Sequence, residues 1–336
     1  MTPGGSGRPY RGTGVPRPDL DADDMLPPPP PWRKFDGGPM QPPPAEDDAE
    51  NTRRLGSMVM TTPDGGSALE VDTVNAALLL RRPLLVTGRP GTGKSALAYR
   101  IARELRLGKV LRWSITSRSI LKHGLYDYDA IGRVEAASIN DSATGGIGDY
   151  LTLGALGTAL LPYEQPRVLL VDEIDKSDID LPNDLLSVFE DGEYNIPELM
   201  RLDKVQPEIE VRTVDGGVAV VRHGRVRCRA FPMIVITSNE EREFPPAFLR
   251  RCLRLHIEDP TVEQLAAMIY AHFGADETGL ASRLARSFFE RSRRLKGLAT
   301  DQLLNSMHLV TSEAYTEDEL WARLIDTVWQ RLSEAE

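Results

Sequence analysis

The chain has 336 residues, its formal net charge is −10, and 27% of its residues are charged. This length allows one large domain or two moderate ones, and the acidic charge makes the chain a poor non-specific ligand for nucleic acid. The two cysteines, Cys228 and Cys252, fit neither a zinc site nor a disulfide framework, no apolar run approaches the ~18 residues of a membrane span, and the first residues lack the apolar core of a signal peptide. We therefore expect a cytoplasmic protein that makes no membrane contact.

Residues 1–60 are rich in proline, and 13 of the chain's 25 prolines lie in the first 44 residues. Such a segment buries too little apolar surface to offset its ordering entropy, so we predict a disordered or partly polyproline II tail. The run Pro27–Pro31, which Trp32, Arg33 and Lys34 follow, also suits docking into an aromatic groove on a partner. The composition favours the solvated tail.

Residues 61–259 alternate short apolar runs with helical periodicity, which predicts a parallel sheet covered on both faces. This is an α/β architecture. The predicted strands are Pro83–Thr87, Val110–Thr116, Arg167–Val171, Met233–Thr237 and Leu253–Glu258.

Two stretches of this region do not fit a plain strand–helix alternation. Residues 117–166 are too long for a simple crossover and predict an inserted element. Residues 207–230 predict a β-hairpin, because "EIEVRTV" and "VAVVRHGRVRCR" flank a turn at Asp215, Gly216 and Gly217. One face of this hairpin carries alternating arginines at positions Arg225, Arg227 and Arg229. They either contact nucleic acid or belong to a solvated edge strand that is protected by charge.

Residues 260–336 predict a smaller all-helical domain. Thr261 with Gln264, and Thr316 with Glu319, have the spacing of capping boxes. Leu280–Leu295 is amphipathic and ends before a glycine. A last helix face is formed by Trp321, Leu324, Ile325 and Val328.

The stretch after the first strand has the phosphate-loop pattern G-x-x-x-x-G-K-[ST] at every fixed position. Glycines allow consecutive backbone N–H groups to turn towards phosphates, and the following helix directs its positive end at the same place. Lys94 is expected to reach the β- and γ-phosphates, and the Ser95 hydroxyl to bind Mg²⁺. The predicted nucleotide-binding residues are Gly88, Arg89, Pro90, Gly91, Thr92, Gly93, Lys94, Ser95 and Ala96.

The strand Arg167–Val171 delivers two adjacent carboxylates at its C-terminal end, where ligands bind in parallel sheets. Asp172 is expected to hold Mg²⁺, directly or through water. Glu173 is expected to orient the attacking water or take its proton. A glutamate directly after the metal aspartate favours the branch of phosphate-loop proteins with a catalytic glutamate. In that branch a further strand usually lies between the strand before the phosphate loop and the strand that carries the two carboxylates. Met233–Thr237 is the candidate for that strand.

The stretch "IVITSNEEREFPPAFLRRC" supplies the third part of the predicted site. Asn239 follows the candidate strand and is expected to contact the water or the γ-phosphate, unless it only forms a strand-end turn. Arg250 and Arg251 end a short helix that two prolines open. They either complement that helix's dipole or reach into a neighbouring subunit as arginine fingers.

These motifs together resemble the AAA+ ATPases, and among them the MoxR-like and dynein-related group. The resemblance covers about residues 66–335 and rests on "TGRPGTGKS", "LLVDEIDKSDIDLPNDLLSVFEDGEYNIPEL" and "IVITSNEEREFPPAFLRRC". It implies a phosphate-loop αβα sandwich with a five-stranded parallel sheet and a helical lid, with ATP and Mg²⁺ between them. It also implies a ring, normally a hexamer, in which Asn239 is the sensor-1 residue and Arg251, or Arg250, is the finger.

The chain departs from this group at the sensor-2 position of the lid. The group normally has an arginine within a G-x-S-x-R pattern, whereas the corresponding stretch here is "GLATDQLL" and places Asp301 there. Lys296 or Arg294 could take over that role, or the lid does not contact the γ-phosphate.

Three functions are compatible with this pattern. MoxR-like proteins are similar to chaperones that mature or activate protein partners, often partners with a von Willebrand factor A domain. A restriction-type nucleic-acid motor belongs to the same branch, so nucleic acid stays open as a partner. The third is a slow nucleotide-dependent assembly switch, which the altered sensor-2 position keeps open.

Overall fold

The fold is built from two β-sheets with helices packed around them. The computed structural model describes residues 8–17, 26–57, 67–139, 146–274, 279–295, 298–311 and 328–329. The strands in these ranges are β1 (Leu84–Thr87), β2 (Leu111–Ser114), β3 (Tyr126–Tyr128), β4 (Leu151–Leu153), β5 (Val168–Asp172), β6 (Glu193–Asn195), β7 (Glu208–Thr213), β8 (Val218–Arg222), β9 (Arg225–Arg227), β10 (Met233–Ser238) and β11 (Leu253–His256).

The helices vary from one turn to more than four turns. Those within the described ranges are α1 (Asp48–Leu55), α2 (Ala68–Leu80), α3 (Lys94–Glu104), α4 (Leu121–Leu125), α5 (Ala130–Ile139), α6 (Ala155–Ala159), α7 (Leu181–Asp191), α8 (Pro197–Met200), α9 (Pro246–Arg251), α10 (Val262–Phe273), α11 (Leu280–Leu295) and α12 (Thr300–Thr311). None of these helices is long and apolar enough to cross a membrane.

The first sheet contains all five predicted strands in the order β11-β1-β10-β5-β2, and every neighbouring pair is parallel. This confirms the predicted five-stranded parallel sheet, with β10 between β1 and β5. All residues of β5 and β10 are buried, as expected for strands that are covered on both faces. Alternate residues enter different cores: Leu85 lies in one apolar cluster, and Leu84 and Val86 lie in the other.

The second sheet joins the two stretches that interrupt the alternation. Its order is β3-β4-β7-β8-β9-β6. The hairpin β7–β8 is antiparallel, and its turn contains Asp215–Gly217. The parallel pairing of β4 with β7 connects the 117–166 insert to the hairpin. The sequence did not predict this shared sheet, because β3 and β4 are only three residues long and have little periodicity.

The described parts of residues 1–60 pack against the core, which makes the prediction of a disordered tail wrong for these parts. The Tyr10 side chain is fully buried and donates from its hydroxyl to Glu70 at 2.8 Å. Glu104, also fully buried, accepts hydrogen bonds from Arg11 N, Thr13 Oγ1 and Gly14 N. The acceptors that order this segment lie on α2 and α3, so proline content alone does not reveal them.

The segment after the proline run contacts its own chain through Arg33. Arg33 is 7% exposed and its guanidinium lies 4.3 Å from the centroid of the Phe231 ring. It donates to the carbonyl oxygens of Arg81, at 2.7 Å, and Phe189, at 2.8 Å. Trp32 beside it remains 78% exposed. Buried carbonyls that end α2 and α7 therefore fix the arginine.

The C-terminal helices α10, α11 and α12 share a third apolar core that includes Leu265, Leu284 and Leu303. The capping box of Thr261 and Gln264 is present at the start of α10. Val328 packs against the same core, whereas the second predicted capping box and the other residues of the last predicted helix face lie outside the described residues. The domain boundaries near residues 60 and 259 stay predictions.

Candidate nucleotide site

The phosphate loop connects the end of β1 to the start of α3. Gly88, Gly91 and Gly93 have φ values of 147°, 78° and 86°, which side-chain-bearing residues adopt at a cost. Gly93 is the N-cap of α3 and has no side-chain cap. Ala96 N donates to Gly93 O at 3.0 Å, whereas none of the described hydrogen bonds engages the N–H groups of Lys94 and Ser95, which can therefore bind a phosphate as at other helix N-termini.

Lys94 lies at the centre of the loop and is 7% exposed. Its Nζ donates to Gly88 O at 2.8 Å, to Arg89 O at 2.7 Å and to Asn239 Oδ1 at 2.8 Å. Burial lowers the pKa of this amine, and attraction to the carboxylates of Asp175, Glu173 and Asp172 opposes that shift. The ammonium can exchange these neutral acceptors for the charged oxygens of a triphosphate.

Ser95 and Asp172 form the oxygen pair that suits Mg²⁺. The Ser95 hydroxyl donates to Asp172 Oδ1 at 2.7 Å, and Asp172 is 6% exposed. Burial acts to raise the pKa of Asp172, but hydrogen bonds from Ser95, Thr237 and Arg112 outweigh it and hold the pKa below its usual value. A hydroxyl and an ionised carboxylate are the hard ligands that Mg²⁺ takes, so these residues fit the ion.

Two residues that sequence reasoning missed fix the Asp172 carboxylate. Arg112 on β2 donates to Asp172 Oδ2 from Nε at 3.1 Å and from Nη2 at 2.7 Å. Thr237 on β10 donates to Oδ1 at 2.8 Å. A charged residue inside the predicted strand Val110–Thr116 was the available signal for Arg112. For Thr237 the sequence offers no comparable signal, because threonine is common in strands.

Glu173 follows β5 in a left-handed conformation, with φ 64° and ψ 52°. This conformation is costly for a glutamate, and costly backbone conformations cluster at functional sites. Its N–H donates to Thr237 Oγ1 at 2.8 Å, and its side chain, 43% exposed, accepts from Lys176 Nζ at 2.7 Å. The turn separates the Glu173 carboxylate from that of Asp172, so the two adjacent carboxylates make different contacts.

Asn239 lies beside this carboxylate pair at the end of β10. Its backbone N–H donates to Asp175 Oδ2 at 2.9 Å, and its side-chain oxygen accepts from Lys94. Asp175, 6% exposed, is a third residue that sequence reasoning missed. The sequence signal for Asp175 was its position two residues after Glu173, which predicts that it lies near the same end of the sheet. The structure thus brings Lys94, Asp172 and Asn239 together from three parallel strands.

Arg250 and Arg251 lie at the end of α9, and no contact described in this chain joins either guanidinium to the phosphate loop. Arg251 Nε donates to Glu190 Oε2 at 3.2 Å. Arg250 has an exposed side chain, and its carbonyl accepts from Arg82. The site within one chain is therefore formed without these arginines.

The lid meets the loop at Thr300, whose hydroxyl donates to Gly91 O at 2.8 Å. Asp301 follows in the first turn of α12. Of the two residues considered as substitutes for a sensor-2 arginine, Arg294 is exposed near the end of α11 and Lys296 lies outside the described residues.

A phosphate loop after β1, a serine–aspartate pair that fits Mg²⁺ and a glutamate after β5 place the chain in the phosphate-loop class of nucleotide-binding proteins. Residues 83–252 match the AAA domain of the dynein-related subfamily. The chain belongs to this family.

Solved structures also resemble the chain, at low identity. NtrX from Brucella abortus in complex with ADP shares 15% identity with a TM-score of 0.38, over 81% of this chain and 56% of that chain. The same protein in complex with ATP shares 16% identity with a TM-score of 0.38, over 81% of this chain and 57% of that chain. C. elegans PCH-2 shares 14% identity with a TM-score of 0.35, over 74% of this chain and 61% of that chain. The chain thus spans little more than half the length of these proteins. No curated protein matches it.

Proposed function

We propose that this chain is a Mg²⁺-dependent ATP hydrolase of the MoxR-like type that assembles into a ring and remodels or activates a protein partner. The observation that carries the proposal is the convergence of Lys94, Asp172 and Asn239 on one end of the parallel sheet. The backbone of the loop and Lys94 would hold the triphosphate. Ser95 and Asp172 would hold Mg²⁺, which would offset negative charge on the phosphates.

Glu173 is the candidate general base. Its carboxylate is partly exposed and bonded to Lys176, whereas Asp172 is fixed by three hydrogen-bond donors. A carboxylate with access to solvent can orient a water molecule and take its proton, while a fully engaged one cannot. We expect Asn239 to contact the γ-phosphate or the water, because its side-chain oxygen accepts a hydrogen bond from Lys94.

A ring would place the arginines of one subunit at the nucleotide of the next. Arg250 is the better finger of the two in this structure, because its side chain is exposed whereas Arg251 is paired with Glu190. A trans-acting arginine contributes roughly 10³- to 10⁵-fold in rate in characterised systems. We therefore expect mixtures of an Arg250→Ala/Arg251→Ala double variant and a Glu173→Gln variant to recover hydrolysis. Activity that stays absent at every mixing ratio would argue against shared sites.

The charge of the hairpin favours a protein partner over nucleic acid. Arg225 is paired with Glu193, and Arg227 lies 3.1 Å from Asp36 and 3.5 Å from Glu193. Two of the three arginines that suggested a basic face are therefore neutralised, and only Arg229 is both exposed and unassigned to an ion pair among the described contacts. We also propose that the protein partner has a von Willebrand factor A domain, and that this chain acts in the cytoplasm.

The decisive experiment compares Glu173→Gln with Lys94→Ala. Glu173→Gln should bind Mg·ATP and lose turnover, whereas Lys94→Ala should lose both, because of these two side chains only the lysine would bind the phosphates. Binding is measured by calorimetry and turnover by phosphate release at high protein concentration, with and without DNA or RNA. Normal hydrolysis by Glu173→Gln would refute the assignment of the base. Salt-sensitive stimulation of hydrolysis by nucleic acid would favour the restriction-type nucleic-acid motor instead. Negligible turnover of the assembled wild type would favour the slow nucleotide-dependent assembly switch.

A further inference from the structure

The lid touches the phosphate loop at the two residues where α12 begins. Thr300 Oγ1 donates to Gly91 O at 2.8 Å, and Thr300 N lies 3.4 Å from the same oxygen. A Cβ atom built on Gly91 would lie only 2.4 Å from Ala299 Cα. The glycine at position 91 therefore permits the close approach of the lid as well as the positive φ of the loop.

This contact orients one peptide group of the loop. The Gly91 carbonyl and the Thr92 N–H belong to the same planar trans peptide and point in opposite directions. Because Thr300 holds the carbonyl towards the lid, the Thr92 N–H points the other way, and it donates to Arg89 O at 3.4 Å. Lys94 Nζ donates to that same oxygen at 2.7 Å. The Thr92 N–H and the phosphate-binding lysine therefore share one acceptor in the absence of nucleotide.

The start of α12 is stabilised in this position by the side chains of Gln302 and Asp301. The Gln302 side chain accepts a hydrogen bond from Ala299 N at 3.0 Å, as in one half of a capping box. Asp301 lies in the first turn, where a negative charge complements the helix dipole. The acidic residue at the sensor-2 position therefore supports the helix end that contacts the loop.

We propose that Thr300 is a positioning residue that couples the lid to nucleotide binding, in place of a sensor-2 arginine. Its hydroxyl fixes the peptide between Gly91 and Thr92. When ATP binds, a phosphate oxygen would replace Arg89 O as the shared acceptor of the Thr92 N–H and Lys94, so that nucleotide and lid stabilise each other's position. The inference rests on the proposed binding of ATP at this loop.

The first test compares Thr300→Val, which keeps the shape and removes the donor, with Thr300→Ser, which keeps the hydroxyl. Affinity is measured with a fluorescent ATP analogue and Mg²⁺, and lid position by hydrogen–deuterium exchange of residues 298–311 with and without the analogue. Loss of one neutral hydrogen bond should weaken the affinity of Thr300→Val roughly three- to tenfold. Exchange at 298–305 should be faster in this variant even without nucleotide. Thr300→Ser should resemble the wild type in both.

A matched glycine pair separates lid contact from backbone strain. Gly91→Ala and Gly93→Ala both place a side chain at a positive φ, but nothing lies within 4 Å of a Cβ at position 93. Without nucleotide, Gly91→Ala should therefore accelerate exchange in the lid, and Gly93→Ala should leave it unchanged.

Wild-type affinity and exchange in Thr300→Val would overturn the coupling, as would a Thr300→Ser variant as weak as Thr300→Val. A wild type that binds no ATP analogue would instead refute the proposed function. In that case the nucleotide-free exchange still decides whether Thr300 holds the lid on the loop.

Discussion

The Nζ of Lys94 donates a hydrogen bond of 2.8 Å to Asn239 Oδ1, although 145 residues separate the two in the chain. Lys94 begins the helix after β1, and Asn239 follows β10, the parallel neighbour of β1. The contact joins the proposed phosphate-binding lysine to the proposed sensor. A triphosphate that draws the lysine away would free the asparagine amide to face the reacting phosphate.

Replacement of Asn239 should therefore affect hydrolysis more than binding. We expect Asn239→Ala to lower kcat by roughly 10²-fold, the typical effect of removing one preorganised donor from a reacting group. The dissociation constant for Mg·ATP should change little, because the loop and Lys94 remain. Asn239→Asp, which keeps the acceptor for Lys94 and loses the donor, is the matched control and should be as slow. A fully active Asn239→Asp would contradict a donor role.

Thr237→Val should destabilise the fold. The Thr237 side chain is 1% exposed, donates to Asp172 Oδ1 and accepts from Glu173 N, each at 2.8 Å. Valine has nearly the same shape but leaves both groups without this partner, so we expect a loss of about 1–3 kcal/mol in the free energy of unfolding. Urea denaturation measures the loss. Thr237→Ser should retain most of the stability, and equal stability of wild type and Thr237→Val would refute the bridging role.

The two cysteines should resist thiol reagents while the protein is folded. Burial raises the pKa of Cys228 and of Cys252 to about 12, so almost no thiolate is present between pH 7 and 9, roughly the range in which an exposed cysteine ionises. We expect no reaction with a chromogenic disulfide reagent at pH 8, and two equivalents after unfolding in urea. Rapid labelling of the native protein would show that one of these residues is accessible.

Removal of residues 1–17 should destabilise the ATPase core. It would leave the fully buried Glu104 carboxylate without the donors of Arg11, Thr13 and Gly14. The loss of partners from a buried charge costs roughly 3 kcal/mol or more. Chemical denaturation compares this truncation with one that removes only residues 1–7 and keeps those donors. Equal stability of the two truncations would show that the segment does not support the core.

Short-range sequence pattern was enough to predict the residues of the candidate nucleotide site. The apolar run before the loop, the glycines and the lysine–serine pair lie within about a dozen residues, and a buried strand followed by two carboxylates is equally local. Because the C-terminal ends of parallel strands meet at one edge, the sequence also predicted that these residues lie near one another. In the structure Lys94 donates to Asn239, and Ser95 donates to Asp172.

Long-range packing determined the remaining features. Arg112 reaches Asp172 only because β2 pairs with β5, and Thr300 reaches Gly91 only because the lid folds back over the loop. Arg33 and Tyr10 are ordered by acceptors on distant helices, which no count of prolines reveals. Chemistry carried by neighbouring residues is thus visible in the sequence. The partners of buried polar groups depend on strand register and burial, which only the tertiary structure sets.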